Sequence, residues 1–135
     1  MDKTIKVGLL GCGTVGGGVL LVLQKNKEII AKKTGCPIEI KTVLVRDKQK
    51  LKPEIKKFKI PVTEDPETIF NDPEIDVVVE LIGRVHPAKE YIEAALRKGK
   101  SVVTANKDVL AEYGDELFAL AAEKKVDFQF EGAVG

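Results

Sequence analysis

Tryptophan is absent from this 135-residue chain, methionine and histidine occur once each, and cysteine occurs twice. The two cysteines, Cys12 and Cys36, stand apart without a CxxC pair, and no cluster of Cys, His or carboxylates has the spacing of a transition-metal site. A Ser, His and Asp arrangement for hydrolysis is missing too. No apolar run is long enough to span a bilayer and the N-terminus has no signal-peptide pattern, so the expectation is a soluble protein of a reducing compartment, the cytoplasm by default. Charge of one sign is lacking as well: 22 Lys and Arg against 21 Asp and Glu leave a formal net charge of +1. No global field then favours nucleic acid or a membrane surface as partner, and a charged ligand must be met locally. The length suits one domain with a proper core and is short for two.

Glycine is not scarce, and its placement is informative. Ile5, Val7, Leu9 and Leu10 form an apolar strand pattern that runs directly into a GxGxxG turn at Gly11, Gly13 and Gly16. Gly11 permits the tight turn, Gly13 lets backbone approach a pyrophosphate, and Gly16 lets the next helix pack close to the sheet. The phosphate would rest on free N–H groups at that helix's N-terminus, where the macrodipole favours an anion. A glycine motif alone also fits an ordinary turn. Here Val15, Val19, Val22, Ile29 and Ile30 add a helical stripe over about Thr14 to Lys33, and both flanks together favour dinucleotide binding. Gly17 and Gly18 each cost roughly 1 kcal/mol in a helix relative to Ala, a cost that close approach of ligand or sheet would offset. Cys12, between the motif glycines, reads as a small apolar filler.

Downstream, Ile38 to Val45 reads as a second strand, followed by a basic loop from Arg46 to Lys59 in which Pro53 opposes a continuous helix. Pro61 to Thr63 is a short strand, and Asp65-Pro66 opens a short helix through Phe70. Val77 to Ile82 has the nearly unbroken apolar character of a buried parallel strand. A helix starts at Pro87 and ends at Gly99, with Ile92, Ala95 and Leu96 inward. Ser101 to Thr104 is a strand, Asn106 caps the next helix, Gly114 interrupts that helix, and Asp127 to Glu131 makes a last strand. The alternation predicts an α/β fold: a doubly wound parallel sheet, Rossmann-type, in three αβα layers. Residues 1–135 are read as one dinucleotide-binding domain. Because the sequence stops directly after a strand, the expectation is a piece of a longer protein, cut before a substrate or dimerisation domain.

Four residues invite chemistry. Dinucleotide sites place an acidic residue at the end of the second strand for a ribose 2′-hydroxyl, or an arginine for a 2′-phosphate. The strand here ends Leu44-Val45-Arg46, and the planar guanidinium with lysines behind it favours NADP, while Asp47 keeps NAD open. Lys107 falls in the first turn of a helix that begins at the carboxyl end of a parallel strand, the edge where open α/β sheets bind ligands. A cation opposing the helix dipole there suits proton exchange with an alkoxide, although a lysine reaching into water is the plainer reading from position alone. Glu80 breaks an apolar strand, so its carboxylate needs partners, with loop N–H groups or Lys107 as candidates; a structural tie for the adjoining loop is preferred over a catalytic acid. His86 reads as a solvent-facing loop residue.

The pair VVVELIG (Val77 to Gly83) and VVTANKDVLAEYG (Val102 to Gly114), with GLLGCGTVGGGV, LVRD and FEGAVG, resembles the N-terminal nucleotide-binding domain of homoserine dehydrogenase over essentially the whole chain. Arg84 departs from the glycine common in that family and affects the shape of its loop. The resemblance implies an oxidoreductase that interconverts homoserine and aspartate semialdehyde with NAD(P), on the route to threonine and methionine. It implies that Gly11, Gly13, Thr14, Val15 and Gly16 hold the pyrophosphate, Arg46 the 2′-phosphate, and Thr104 the neighbourhood of the nicotinamide. Lys107 matches the family's catalytic lysine, and Glu131 and Val134 match part of a monovalent cation site, sodium by expectation. A small-molecule substrate, a homo-oligomer at full length and an inactive isolated fragment are also implied. The rivals are another amino-acid-pathway dehydrogenase, such as an aspartate dehydrogenase, and a regulatory module that binds NAD(P) without chemistry.

Overall fold

The computed structural model describes residues 4–11, 35, 37–50, 53–56 and 59–130, with backbone alone at 50, 54 and 55. The first predicted helix, including Gly13, Thr14, Val15 and Gly16, lies outside these residues, as do Cys12, Cys36, Glu131 and Val134.

Six strands are described: β1 (Ile5–Leu10), β2 (Ile38–Leu44), β3 (Val62–Thr63), β4 (Val77–Glu80), β5 (Ser101–Thr104) and β6 (Phe128–Phe130). They pair in the order β3-β2-β1-β4-β5-β6, every pair parallel. This is the 3-2-1-4-5-6 order of a doubly wound dinucleotide fold, with its switch point between β1 and β4. Among the described residues the helices are α1 (Pro53–Lys56), α2 (Glu67–Phe70), α3 (Ala88–Arg97) and α4 (Lys107–Lys124), with a 3-10 turn at Lys48–Lys50. The described part of the basic stretch holds two short helical turns, with Pro53 opening the second, where its missing N–H costs nothing.

Both faces of the sheet are apolar, as parallel strands require. Val78, Val102, Ile92, Leu96, Val109 and Leu117 belong to one buried cluster, which takes in residues of α2, α3 and α4. Val7, Leu9, Ile40, Val43 and Leu81 form the core of the other face. The chain reaches β4 from β3 by passing β1, and Gly8 makes room for it. A Cβ at Gly8 would stand 2.6 Å from the Ile69 side chain, and the β1–β2 register shifts between Val7 and Gly8.

Two expectations are corrected. Helix α4 runs unbroken through Gly114, which is buried: the local cost of glycine, about 1 kcal/mol, is outweighed by burying Val109, Leu117, Leu120 and Ala121 against the core. Strand β4 stops at Glu80 rather than Ile82, because the Ile82 N–H turns back to the Glu80 carboxylate at 2.7 Å.

Candidate functional site

The last register row of the sheet reads Thr63, Leu44, Leu10, Glu80, Thr104, Phe130 from edge to edge. The residues that follow this row leave the carboxyl ends of the strands, where open α/β sheets take their ligands.

Gly11 leaves β1 with φ +90°, a conformation that L side chains rarely adopt. Its N–H donates to the Leu44 carbonyl at 3.0 Å, and a Cβ would lie 3.2 Å from the backbone of Ile82. Backbone therefore passes close to backbone at the switch point, as a pyrophosphate turn requires. At the end of β2, Arg46 stands exposed in a bend. The Asp47 carboxylate folds back to accept the Gln49 N–H at 2.9 Å, and Glu64 accepts the Lys48 N–H at 2.8 Å. Those bonds shape the loop and leave the guanidinium facing solvent beside the β2 end.

Across the switch point, Glu80 is fully buried. One carboxylate oxygen accepts the Thr104 hydroxyl at 2.6 Å and the other accepts the Ile82 N–H. The Thr104 oxygen accepts the Asn106 N–H at 3.0 Å. Asn106 caps α4, its Oδ1 accepting the Val109 N–H at 3.1 Å, while its Nδ2 donates to the Arg84 carbonyl at 2.6 Å. One network thus ties the loop after β4 to the loop after β5, and Gly83 at φ +86° lets the first loop turn within it. Burial pushes the Glu80 carboxyl above its ordinary range, and the hydrogen bonds from Thr104, from the backbone at Ile82 and Gly83, and from Asn106 pull it back. The preferred reading of Glu80 as a tie fits; loop N–H groups and Thr104, rather than Lys107, are its partners.

Lys107 is the first residue of α4 and is exposed, directly after the Asn106 cap. The Thr104 side chain, expected beside the nicotinamide, is turned inward to Glu80 and Asn106. The structure thus places Gly11, Arg46, Thr104 and Lys107 along one edge. His86 is exposed but not merely solvent-facing: its Nδ1 lies 2.7 Å from the Glu90 carboxylate and its ring meets Tyr113 edge-on at 5.8 Å. The double duty of Asn106, cap and loop tether, was missed from sequence; asparagine ahead of a helix signals only the cap.

A family model described as "Homoserine dehydrogenase, NAD binding domain" matches residues 11–131. A homoserine dehydrogenase of Bacillus subtilis is 47% identical over 132 residues, covering 98% of this chain and 30% of the relative. The crystal structure of a homoserine dehydrogenase from Thiobacillus denitrificans aligns with a TM-score of 0.90 at 48% identity, over 98% of this chain and 30% of that one. That of Staphylococcus aureus homoserine dehydrogenase gives 0.88 at 39% identity, over 97% and 33%. The chain therefore spans about a third of the length of the proteins it matches.

Proposed function

This chain belongs to the homoserine dehydrogenase NAD-binding family, and from that premise we propose that it is the cofactor domain of an NADP-preferring enzyme that interconverts L-homoserine and L-aspartate 4-semialdehyde. The single observation that carries the reading is the convergence of Gly11, Arg46 and Lys107 on the carboxyl edge of a 3-2-1-4-5-6 sheet. A dinucleotide would fit this edge: Gly11 leaves β1 at φ +90°, and a Cβ there would stand only 3.2 Å from the Ile82 backbone, so the turn runs tight against the neighbouring strand end. Gly11, Gly13, Thr14, Val15 and Gly16 would hold the pyrophosphate, with the last four lying outside the described residues. Arg46 would pair with a 2′-phosphate through its planar fork, since the neighbouring Asp47 carboxylate is engaged by its own loop.

A bound nicotinamide supplies the hydride acceptor or donor at the carbon that alternates between alcohol and aldehyde. Lys107 would take the hydroxyl proton in the oxidation and return it in the reduction. Substrate-binding groups come from the rest of the protein, and Glu131 and Val134 would contribute to a monovalent cation site, sodium by analogy. On this reading the full-length protein would be a cytoplasmic homo-oligomer on the route to threonine and methionine.

Calorimetric titration of NADP and NAD against wild type and Arg46→Ala tests the cofactor assignment. The variant should lose about tenfold or more of its NADP affinity, the size of one charge-assisted hydrogen bond, and little of its NAD affinity. Equal losses for both cofactors would reduce Arg46 to a loop residue.

A further inference from the structure

The Glu80 network holds its carboxylate on uncharged donors. The Thr104 hydroxyl donates to one oxygen while its own oxygen accepts the Asn106 N–H, and the Ile82 N–H donates to the other, so each contact is one that an ionised carboxylate makes. Burying that carboxylate costs desolvation, and no lysine, arginine or histidine among the described residues forms an ion pair with it. An unneutralised buried charge acts over a longer range than an exposed one, because water screens it little.

Position identifies what that charge meets. Arg46, in the bend after β2, marks the side of the switch point that takes the phosphorylated ribose. Gly11, directly after β1, marks the pyrophosphate. Glu80 stands in register with Leu10, one strand beyond that turn, and in register with Thr104 on its other side. The half of the dinucleotide carried past the turn must therefore lie over the ends of β4 and β5. In the oxidised cofactor that half ends in a positively charged pyridinium ring; in the reduced cofactor the ring is neutral.

We propose that Glu80 is a specificity-determining residue for the redox state of the cofactor: its buried carboxylate favours the oxidised over the reduced nicotinamide. The proposal rests on the cofactor-domain reading above and adds a role that hydrogen bonding alone would not give. Beyond loop geometry, the carboxylate offsets the ring charge that appears in oxidation, biasing the bound equilibrium toward NADP+.

The test is equilibrium binding of NADP+ and of NADPH, by calorimetry and by nucleotide fluorescence, to the complete protein without substrate. Glu80→Gln should weaken NADP+ about tenfold while leaving NADPH within about twofold, the scale of one charge acting across several ångströms of protein. Glu80→Asp keeps the charge but shortens the arm that reaches Ile82 and Thr104. Its ratio of the two affinities should stay within about twofold of wild type even where both affinities fall. If Glu80→Gln weakens both forms equally, the carboxylate is only a tie and the proposal fails while the cofactor assignment stands. A ratio in Glu80→Asp that collapses as the contacts are lost overturns it independently, even should Glu80→Gln not fold. Wild type that binds neither form overturns both readings.

Discussion

Among the described residues each end of this sheet buries one charge, and the two are handled differently. At the amino end, Lys100 is buried just before β5, and its ammonium donates to the backbone carbonyls of Asp72 at 2.5 Å and Ile75 at 2.9 Å. Around it the surface is closed by ion pairs: Lys41 with Asp72 at 2.6 Å, Lys41 with Glu74 at 3.1 Å, and Lys6 with Glu74 at 2.9 Å. At the carboxyl end the buried charge is Glu80, held by hydrogen-bond donors, with Arg46 and Lys107 exposed along the same edge. Burial lowers the Lys100 ammonium's affinity for its proton and raises that of the Glu80 carboxyl, so desolvation acts alike on both. What differs is the surroundings. The charges at the amino end satisfy one another and bind the β3–β4 connection to the sheet. At the carboxyl end, Arg46 and Lys107 form no ion pair among the described residues.

The contrast is sharpest for Lys107. In the full-length protein Lys107→Ala should lower the chemical step by about 10²–10⁴-fold, the usual contribution of a general acid–base group. Cofactor affinity should change little. Single-turnover kinetics at saturating cofactor and substrate read the step directly, and a near-normal rate would remove Lys107 from the chemistry. A weaker NADP complex with turnover intact at saturation would make it a binding residue instead.

Lys100 should show the opposite pattern. Lys100→Met keeps an apolar stem and removes the donor, leaving the Asp72 and Ile75 carbonyls without it. Unfolding in urea should reveal a loss of about 1–3 kcal/mol, the cost of an unsatisfied buried polar group. Affinity for NADP should be unchanged at temperatures where the variant is folded. A variant of full stability but impaired cofactor binding would erase the distinction between the two ends.

How much of this could be read in advance follows the range of the interactions. Strand β5 and the Asn106 cap were legible to the residue, because an apolar run and a capping side chain act within a few positions. Arg46 was legible as the residue at the end of β2, and Glu80 as a carboxylate that needed partners. Its loop N–H partner was legible too, but Thr104 was not, since it is 24 residues away and reaches Glu80 only through strand pairing. Gly114 misled for the same reason: its cost is local, whereas the burial that overrides it comes from α3 and the sheet. Lys100 gave no signal at all. A lysine after a helix-ending glycine reads as surface, and its acceptors arrive from a loop 25 to 28 residues earlier.

The smallest expected effect separates the two ends by the sign of their response to acid. The Lys41 ammonium bonded to Asp72 holds that carboxyl below its ordinary value of 3.8, and Lys6 and then Lys41 do the same for Glu74. A carboxyl lowered by folding contributes stability above its unfolded value, and that contribution is lost as pH falls through the folded one. Glu80 behaves inversely: folding raises it above 4.5, so the penalty for its ionised form is relieved as pH falls through its folded value. On acidification from neutrality the carboxyl end should therefore gain slightly first, and the amino end should lose slightly further down. Urea unfolding at closely spaced pH values from 7 to about 3 measures both limbs. Asp72→Asn should flatten the limb below about pH 4, and Glu80→Gln the limb above about pH 4.5. Because Lys41 and Asp72 sit at the surface, the first change should be small and should shrink in high salt, whereas the buried Glu80 should respond little to salt. Equal salt sensitivity at the two limbs would show that the carboxyl end is as open to water as the amino end, and the contrast between them would fall.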